Sequence, residues 1–280
     1  MTTTLRPAGP ERLGADGARS RDYTVCVNSR AVGSVTLGTD AVPGQVPGSR
    51  SGVGRIEALA IDEGDRRRGR GTVAVLAAEE VLRYWGCTRV ETAVPAEAEH
   101  GLRIATALGY AERNRVMLKQ LDGECSPLPP GSVCRPLAAA EYDSWVGRDR
   151  AHFIGALTGA GVPRAEAEAR RTAAFARALP GGRTAEGNTL YALDHEGDTV
   201  GWLWLRTAPE PCWVLSVEVD AAHRGNGHGR TLMLAAEDIC RDAGAGVLGL
   251  NVYTANTTAV RLYTSLGYRI TDRHLYKSLI

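Results

Sequence analysis

Residues 56–110 reappear 158 positions later in one ungapped register. Asp62 meets Asp220, Arg66 meets Arg224, Gly69 meets Gly227 and Gly71 meets Gly229. Leu76-Ala77-Ala78-Glu79 meets Leu234-Ala235-Ala236-Glu237, and Leu108-Gly109-Tyr110 meets Leu266-Gly267-Tyr268. Self-similarity over such a span predicts two copies of one domain, so any fold assigned to one copy must suit the other. Upstream the offset changes to 168, with Tyr23 and Gly33 matching Tyr191 and Gly201. The first copy therefore carries about ten extra residues, within the Gly/Pro-rich stretch 38–54, which reads as a loop. Leu5-Arg6-Pro7 resembles Cys134-Arg135-Pro136 at an offset of 129, so the second copy has roughly forty more residues between its first two strands.

Two modest cores need enough apolar residues, and 44% hydrophobic over 280 residues supplies them. A net charge of +1 gives no general attraction to nucleic acid or to an anionic membrane. Lysine occurs only at Lys119 and Lys277, which reads as a composition bias toward Arg. The N-terminus lacks the apolar region of a secretory signal and no stretch is long enough to span a bilayer, so a cytoplasmic location is expected. The cysteines (Cys26, Cys87, Cys125, Cys134, Cys212, Cys240) lack a CxxC pair and read as small hydrophobes or reduced thiols. The histidines are equally dispersed, and no metal site is expected.

In the second copy, residues 132–136 read as a strand, and 139–158 and 164–179 as two helices closed by Pro180-Gly181-Gly182. A hairpin is expected from 189–194 and 199–206, and a further strand at 213–219. The apolar positions 232, 235, 236, 239, 240 and 243 have a helical period over 227–243, which ends at Gly244. Strand 247–252, helix 256–266 and strand 268–279 follow. The class is α/β, an α+β mixed sheet, in two tandem folds. The first copy lacks the helix pair, because about fifteen residues between Pro7 and Tyr23 cannot hold it. The boundaries follow as 1–122 for the first domain, 123–131 for a Pro-rich linker and 132–280 for the second.

The stretch Ser216-Val217-Glu218-Val219-Asp220-Ala221-Ala222-His223-Arg224-Gly225-Asn226-Gly227-His228-Gly229-Arg230 is strand, Gly-rich turn, then helix start. Such a turn presents successive backbone N–H groups and the positive end of a helix dipole, and its glycines let a phosphate approach closely. Arg224 and Arg230 add charge. The spacing is neither GxxxxGK[ST] nor an early GxGxxG, which disfavours nucleotide triphosphate and dinucleotide binding.

Arg-x-x-Gly-x-Gly after a Val-rich strand resembles the pyrophosphate loop of the GNAT superfamily of acetyl-CoA-dependent N-acetyltransferases. Asn251 through Tyr268 resembles that family's second strand–helix segment, and both motifs stand in order within residues 132–280. The first copy resembles the family less closely, through Arg66-Arg67-Arg68-Gly69-Arg70-Gly71. The tandem arrangement is similar to that of the mycothiol synthases, with no residue pointing to their substrate.

The resemblance implies acetyl-CoA as co-substrate, with no metal. It implies that the sheet splays beside the strand before the loop. Val217 and Val219 would then give main-chain contacts to pantetheine, with the Val219 amide facing the developing oxyanion. Arg224, Gly225, Asn226, Gly227, His228, Gly229 and Arg230 would hold the pyrophosphate, with Asn256 beside the CoA arm. Arg66, Gly69, Arg70 and Gly71 would form the corresponding loop of the first copy. The leaving thiolate, of pKa roughly 8.5 if like Cys, needs a proton, and a Tyr of pKa about 10 can give it. Tyr263 is the candidate acid and Glu218 the candidate base or water-positioning group. The alternatives are a core aromatic for Tyr263 and a solvated strand residue for Glu218. His223 and His228 are expected as exposed loop residues, and Trp145, Trp202, Trp204 and Trp213 as core.

Glu218, Asn256 and Tyr263 correspond to Ala60, Ala98 and Ala105. The second copy is therefore expected to be catalytic and the first degenerate. The expected acceptor is a small-molecule primary amine attacking directly in a ternary complex, in a monomer or homodimer. Protein lysine or N-terminal acetylation, and non-catalytic acyl-CoA sensing, are the competing functions.

Overall fold

The computed structural model describes residues 3–14, 17–39, 52–123, 126–159, 162–180, 182, 185–208 and 210–279. The Gly/Pro-rich loop expected within 38–54 falls largely on residues 40–51, outside the described residues. In chain order the elements of the first copy are β1 (Thr3–Pro7), β2 (Arg12–Leu13), β3 (Arg19–Val27), β4 (Arg30–Thr39), β5 (Gly52–Ile61), α1 (Arg70–Tyr84), β6 (Cys87–Pro95), α2 (Glu99–Ala107) and β7 (Ala111–Gln120). The second copy contributes β8 (Ser132–Pro136), α3 (Tyr142–Gly159), α4 (Arg164–Ala178), β9 (Asn188–His195), β10 (Asp198–Arg206) and β11 (Cys212–Val219). It continues with α5 (His228–Asp242), β12 (Val247–Tyr253), α6 (Thr257–Ser265) and β13 (Arg269–Ser278). The helix pair is present in the second copy, and the short β2 stands between β1 and β3 in the first.

The repeat and the compact units divide the chain differently. One unit joins Met1–Arg113 to Asp272–Ile280, and the other is Asn114–Thr271. The sheet of the first runs β1-β3-β4-β5-β6-β13, and that of the second β7-β12-β11-β10-β9-β8. Each unit is thus closed by the other repeat's last strand. Lys277 on β13 stands opposite Val90 on β6, and Lys119 on β7 opposite Leu248 on β12. The chain's two lysines mark the exchange. Lys277 Nζ donates at 2.8 Å to the Glu79 carboxylate, which is 1% exposed, and Lys119 Nζ donates at 2.7 Å to Glu237, which is 3% exposed. Each ammonium also lies over a buried ring, Tyr110 at 5.6 Å and Tyr268 at 5.7 Å. A buried carboxylate needs a partnered cation. The lysines are placed by that need, not by composition bias alone.

One face of each sheet is packed by a helix of the repeated motif. Leu232, Met233, Ala236 and Cys240 of α5 meet Leu203, Leu205, Leu248 and Leu250, all within 1% of full burial. In the first unit Ala74, Ala78 and Leu82 of α1 meet Val25, Val35, Leu37 and Val90. The opposite faces differ. In the second unit Leu190, Ala192, Trp202 and Trp204 are buried beneath α3 and α4 with Trp145, whose ring meets Trp204 edge-on at 5.4 Å. The positions 168 earlier are Asp22, Thr24, Ser34 and Thr36, paired Asp22–Thr36 and Thr24–Ser34 as Leu190–Trp204 and Ala192–Trp202 are. Each large apolar side chain buried under the helices gains about 1.5–3 kcal/mol. Among its described residues the first copy has neither that apolar floor nor its roof. The four described tryptophans named from the sequence are packed as core residues expect, with Trp213 half-buried.

Gly201 and Gly33 hold equivalent places where β10 and β4 approach the strand before the loop. A Cβ at Gly201 would lie 2.6 Å from the Glu218 carbonyl oxygen, and one at Gly33 would overlap the Ala60 carbonyl oxygen. Gly201→Ala must push β10 off β11 and should lower stability by roughly 1–3 kcal/mol. Urea denaturation of the variant checks this, and an unchanged midpoint would show that the strands separate freely there.

Candidate functional site

β11 and β12 pair in parallel only at Cys212–Leu248, Trp213–Gly249 and Val214–Leu250. Both strands continue, β11 to Val219 and β12 to Tyr253, without further pairing to each other. β5 and β6 likewise stop pairing at Ile56–Thr92, the equivalent position. Each unit therefore has an open mouth between parallel strands. Residues 215–219 keep β10 on one side, with Gly201–Val219, Trp202–Glu218 and Leu203–Val217 in register.

At the end of β11 the chain forms one 3-10 turn, Ala221–His223, capped by Asp220 Oδ1, which accepts from Ala222 N at 3.0 Å. Gly225 and Gly227 follow with φ of 87° and 86°, the left-handed conformation that glycine adopts without a Cβ penalty. Among the described residues no backbone hydrogen bond is donated by residues 225–229. His228 and Gly229 begin α5, where N–H groups have no intrahelical partner. Five successive N–H groups are thus left for an anion, at the positive end of a helix.

The side chains of this loop divide into two kinds. Arg224 folds back, its Nε donating at 3.2 Å to the Val219 carbonyl, as Arg66 Nε does at 2.8 Å to Ile61. Arg230 Nη2 donates at 2.5 Å to Ser265 on α6, and Asn226 Nδ2 at 3.4 Å to the His223 carbonyl. A Cβ at Gly229 would meet Leu262 of α6 at 3.4 Å, so the glycine lets α6 close on the loop. Arg224, Asn226 and Arg230 are exposed and can still offer charge or an amide to a ligand.

His228 corrects the sequence reading, since it is not an exposed loop residue but 6% exposed. Its ring lies 4.8 Å from His195 on β9 and 6.4 Å from His223, and His195 Nδ1 lies 2.9 Å from Ser132 Oγ. The first copy has an ion cluster there: Arg70 is buried against Asp65, which also accepts from Arg30 at 2.7 Å. Arg70 is turned inward, whereas Arg66, Arg67, Arg68 and Gly69 are exposed. Arg67 stands where the second copy has Gly225 and takes φ 59°, an uncommon conformation for a residue with a Cβ. Burial, then the neighbouring imidazoles, hold His228 below the usual histidine value of 6.5. The unfolded chain therefore gains this proton first as pH falls. Stability from neutral His228 is full above about 6.5 and declines as pH drops through that value toward the folded one. Denaturation midpoints for residues 114–271 should fall between pH 7 and 5.5, and His228→Gln should flatten that slope; equal slopes in both proteins would remove His228 as the cause.

Glu218 is half-buried on β11, opposite Trp202, and makes no hydrogen bond or ion pair among the described residues. Val217 and Val219 point instead to the α5 side and pack against its core. Asn256 caps α6, its Oδ1 accepting from Ala259 N at 3.1 Å, a bond that Ala98 cannot make for α2. Tyr263 is 6% exposed in the same core, its ring 6.0 Å from Tyr268. Its hydroxyl has no hydrogen bond among the described residues, and burial pushes its pKa up to about 12. Sequence reasoning missed Arg148 on α3, which lies over Trp202 with Cζ 4.5 Å from the ring and donates to Asp220 at 3.1 Å. Nothing in its local sequence marks it, because its partners are distant along the chain. Among the described residues no cluster of His, Cys, Asp or Glu could hold a metal ion. Among the described residues no helix is long and apolar enough to cross a membrane.

These features have counterparts in known proteins. A mycothiol acetyltransferase of Thermomonospora curvata is 28% identical over 250 residues, covering 86% of this chain and 79% of the relative. A GCN5-related N-acetyltransferase from Sphaerobacter thermophilus shares the fold with a TM-score of 0.59 at 18% identity, over 92% of this chain and 80% of that one. A tandem GNAT protein from the clavulanic acid biosynthesis pathway does so with a TM-score of 0.52 at 20% identity, over 96% and 85%. The Acetyltransferase (GNAT) family matches twice, at residues 5–110 and 139–268, and this chain belongs to that family as a tandem acetyltransferase.

Proposed function

We propose that the second copy's site transfers the acetyl group of acetyl-CoA to a primary amine of a small molecule, by direct attack in a ternary complex. The observation that carries this reading is the open β11–β12 mouth ending in five free N–H groups, with an unpartnered carboxylate and an unpartnered phenol within the same unit. The N–H groups of residues 225–229, with Arg224 and Arg230, hold the pyrophosphate. The main chain of Val217 and Val219 pairs with pantetheine, and Asn256 borders the CoA arm.

Glu218 takes a proton from the acceptor ammonium, directly or through water. The freed amine attacks the thioester carbon, forming C–N, and the oxyanion accepts from the Val219 N–H. Collapse breaks C–S, and the thiolate takes the Tyr263 phenolic proton while the remaining proton of the attacking nitrogen passes through water to the phenolate, leaving neutral amide, free CoA thiol and a protonated Glu218 that returns its proton to solvent. A phenol held near 12 stays protonated through the working range and so remains a donor.

The first copy is non-catalytic in this reading. It keeps the open mouth and a left-handed Gly69, but carries Ala60, Ala98 and Ala105 where the base, cap and acid stand. The name of the mycothiol relative favours an amino-bearing metabolite as acceptor over a protein, and α3 and α4 cover the sheet face onto which Glu218 projects. Release of free CoA thiol should be followed with acetyl-CoA and a panel of primary amines and lysine peptides. Turnover with small amines is expected; turnover with peptides alone would reassign the acceptor, and binding without turnover would leave a sensor.

A further inference from the structure

Arg148 has no part in the chemistry just described, yet it brackets the proposed base. Glu218 and Trp202 face each other across β10 and β11, so both project to the side covered by α3 and α4. Asp220, two residues on, continues that side. From α3, Arg148 stacks on Trp202 and reaches Asp220, whose other oxygen is held by Ala222 N. One guanidinium nitrogen makes that bond, and the remaining donors have no partner among the described residues. The side chain is 44% exposed. A carboxylate without a cation and a guanidinium with spare donors thus share one indole.

Resting on the acetyltransferase reading, we infer that the acceptor carries an anionic group beside its amine, and that Arg148 selects it. An ammonium settling on Glu218 meets the field of Arg148, and a plain amine bears that repulsion without relief. An acceptor carrying a carboxylate a few bonds from its amine, as in an α- or β-amino acid, turns the repulsion into a second contact. A guanidinium offers a planar fork suited to a carboxylate, and stacking on Trp202 holds that fork in place. Three of these four residues have no counterpart in the first copy. It has no α3, Ser34 for Trp202 and Ala60 for Glu218, while Asp62 still matches Asp220.

The test is a matched panel: glycine against glycinamide, β-alanine against β-alaninamide, and phenylalanine and glutamate against their amides and decarboxylated amines. Acid forms should be acetylated with the higher kcat/KM. In Arg148→Ala the acid-to-amide ratio of kcat/KM should fall roughly tenfold to a hundredfold, through KM, and Arg148→Lys should restore part of it. If amides and plain amines are the better acceptors, or if Arg148→Ala lowers acid and amide alike, the inference is overturned and Arg148 merely anchors α3. If no amine in the panel accepts acetyl while acetyl-CoA still binds, the transfer reading itself fails, and the inference with it.

Discussion

A chain ending at Thr271 should retain a folded second unit and lose the first. The truncation removes Leu275 and Leu279, each 4% exposed in the first unit's core, and the Lys277 ammonium that meets Glu79. Arg83 Nε also loses the Leu279 carbonyl at 3.1 Å, leaving Arg83 with Glu79 and Glu80 alone. Hydrogen exchange should show fast amides throughout β3 to β6 and α1, with protection kept in β9 to β12 and α5. Lys277→Met is the milder form. It leaves a carboxylate 1% exposed without its lysine partner and should cost roughly 3–5 kcal/mol. Retained protection in β5 and β6 after truncation would mean that β13 adds little to the first unit. By the same argument the contiguous fragment 1–122 should not fold, although it contains one whole copy of the repeat.

Tyr263→Phe should reduce kcat by roughly a hundredfold to ten-thousandfold, the usual range for a positioned acid. The substitution isolates chemistry from packing. The hydroxyl makes no hydrogen bond among the described residues, so its removal leaves the ring against Tyr268 and should shift the denaturation midpoint little. Glu218→Gln should give a loss of similar size, with acetyl-CoA affinity retained. An unchanged kcat in Tyr263→Phe would return that residue to the role of core aromatic, and water or another group would have to protonate the thiolate.

The elements of each copy were legible because their signals are local. The apolar period of α5, the glycines that start and end it, and the Pro-Gly-Gly after α4 each act within one or two turns. The missing roof of the first copy was legible too, because the roughly fifteen residues between Pro7 and Tyr23 cannot hold a helix pair, whereas its polar floor of Asp22, Thr24, Ser34 and Thr36 gained meaning only from the strand register. The strand exchange was not legible, for a reason specific to repeats. Lys277 suits Glu79 and Glu237 equally, since the two glutamates hold equivalent positions, and no pattern of hydrophobicity tells one partner sheet from the other. The inward turn of His228 and the reach of Arg148 were hidden differently. Both depend on residues from separate strands and helices, His195 in one case and Trp202 with Asp220 in the other.

The exchange of last strands also sets an order of events on the ribosome. The second unit has all its residues once Thr271 has emerged, whereas the first must wait for residues 272–280 although its N-terminal part was made long before. At about 5–20 residues per second, the interval between Arg113 and that last segment is on the order of 10–30 s. Through that time β6 has an open edge and Glu79 lacks its lysine. The half of the chain that is translated first is the half that finishes folding last.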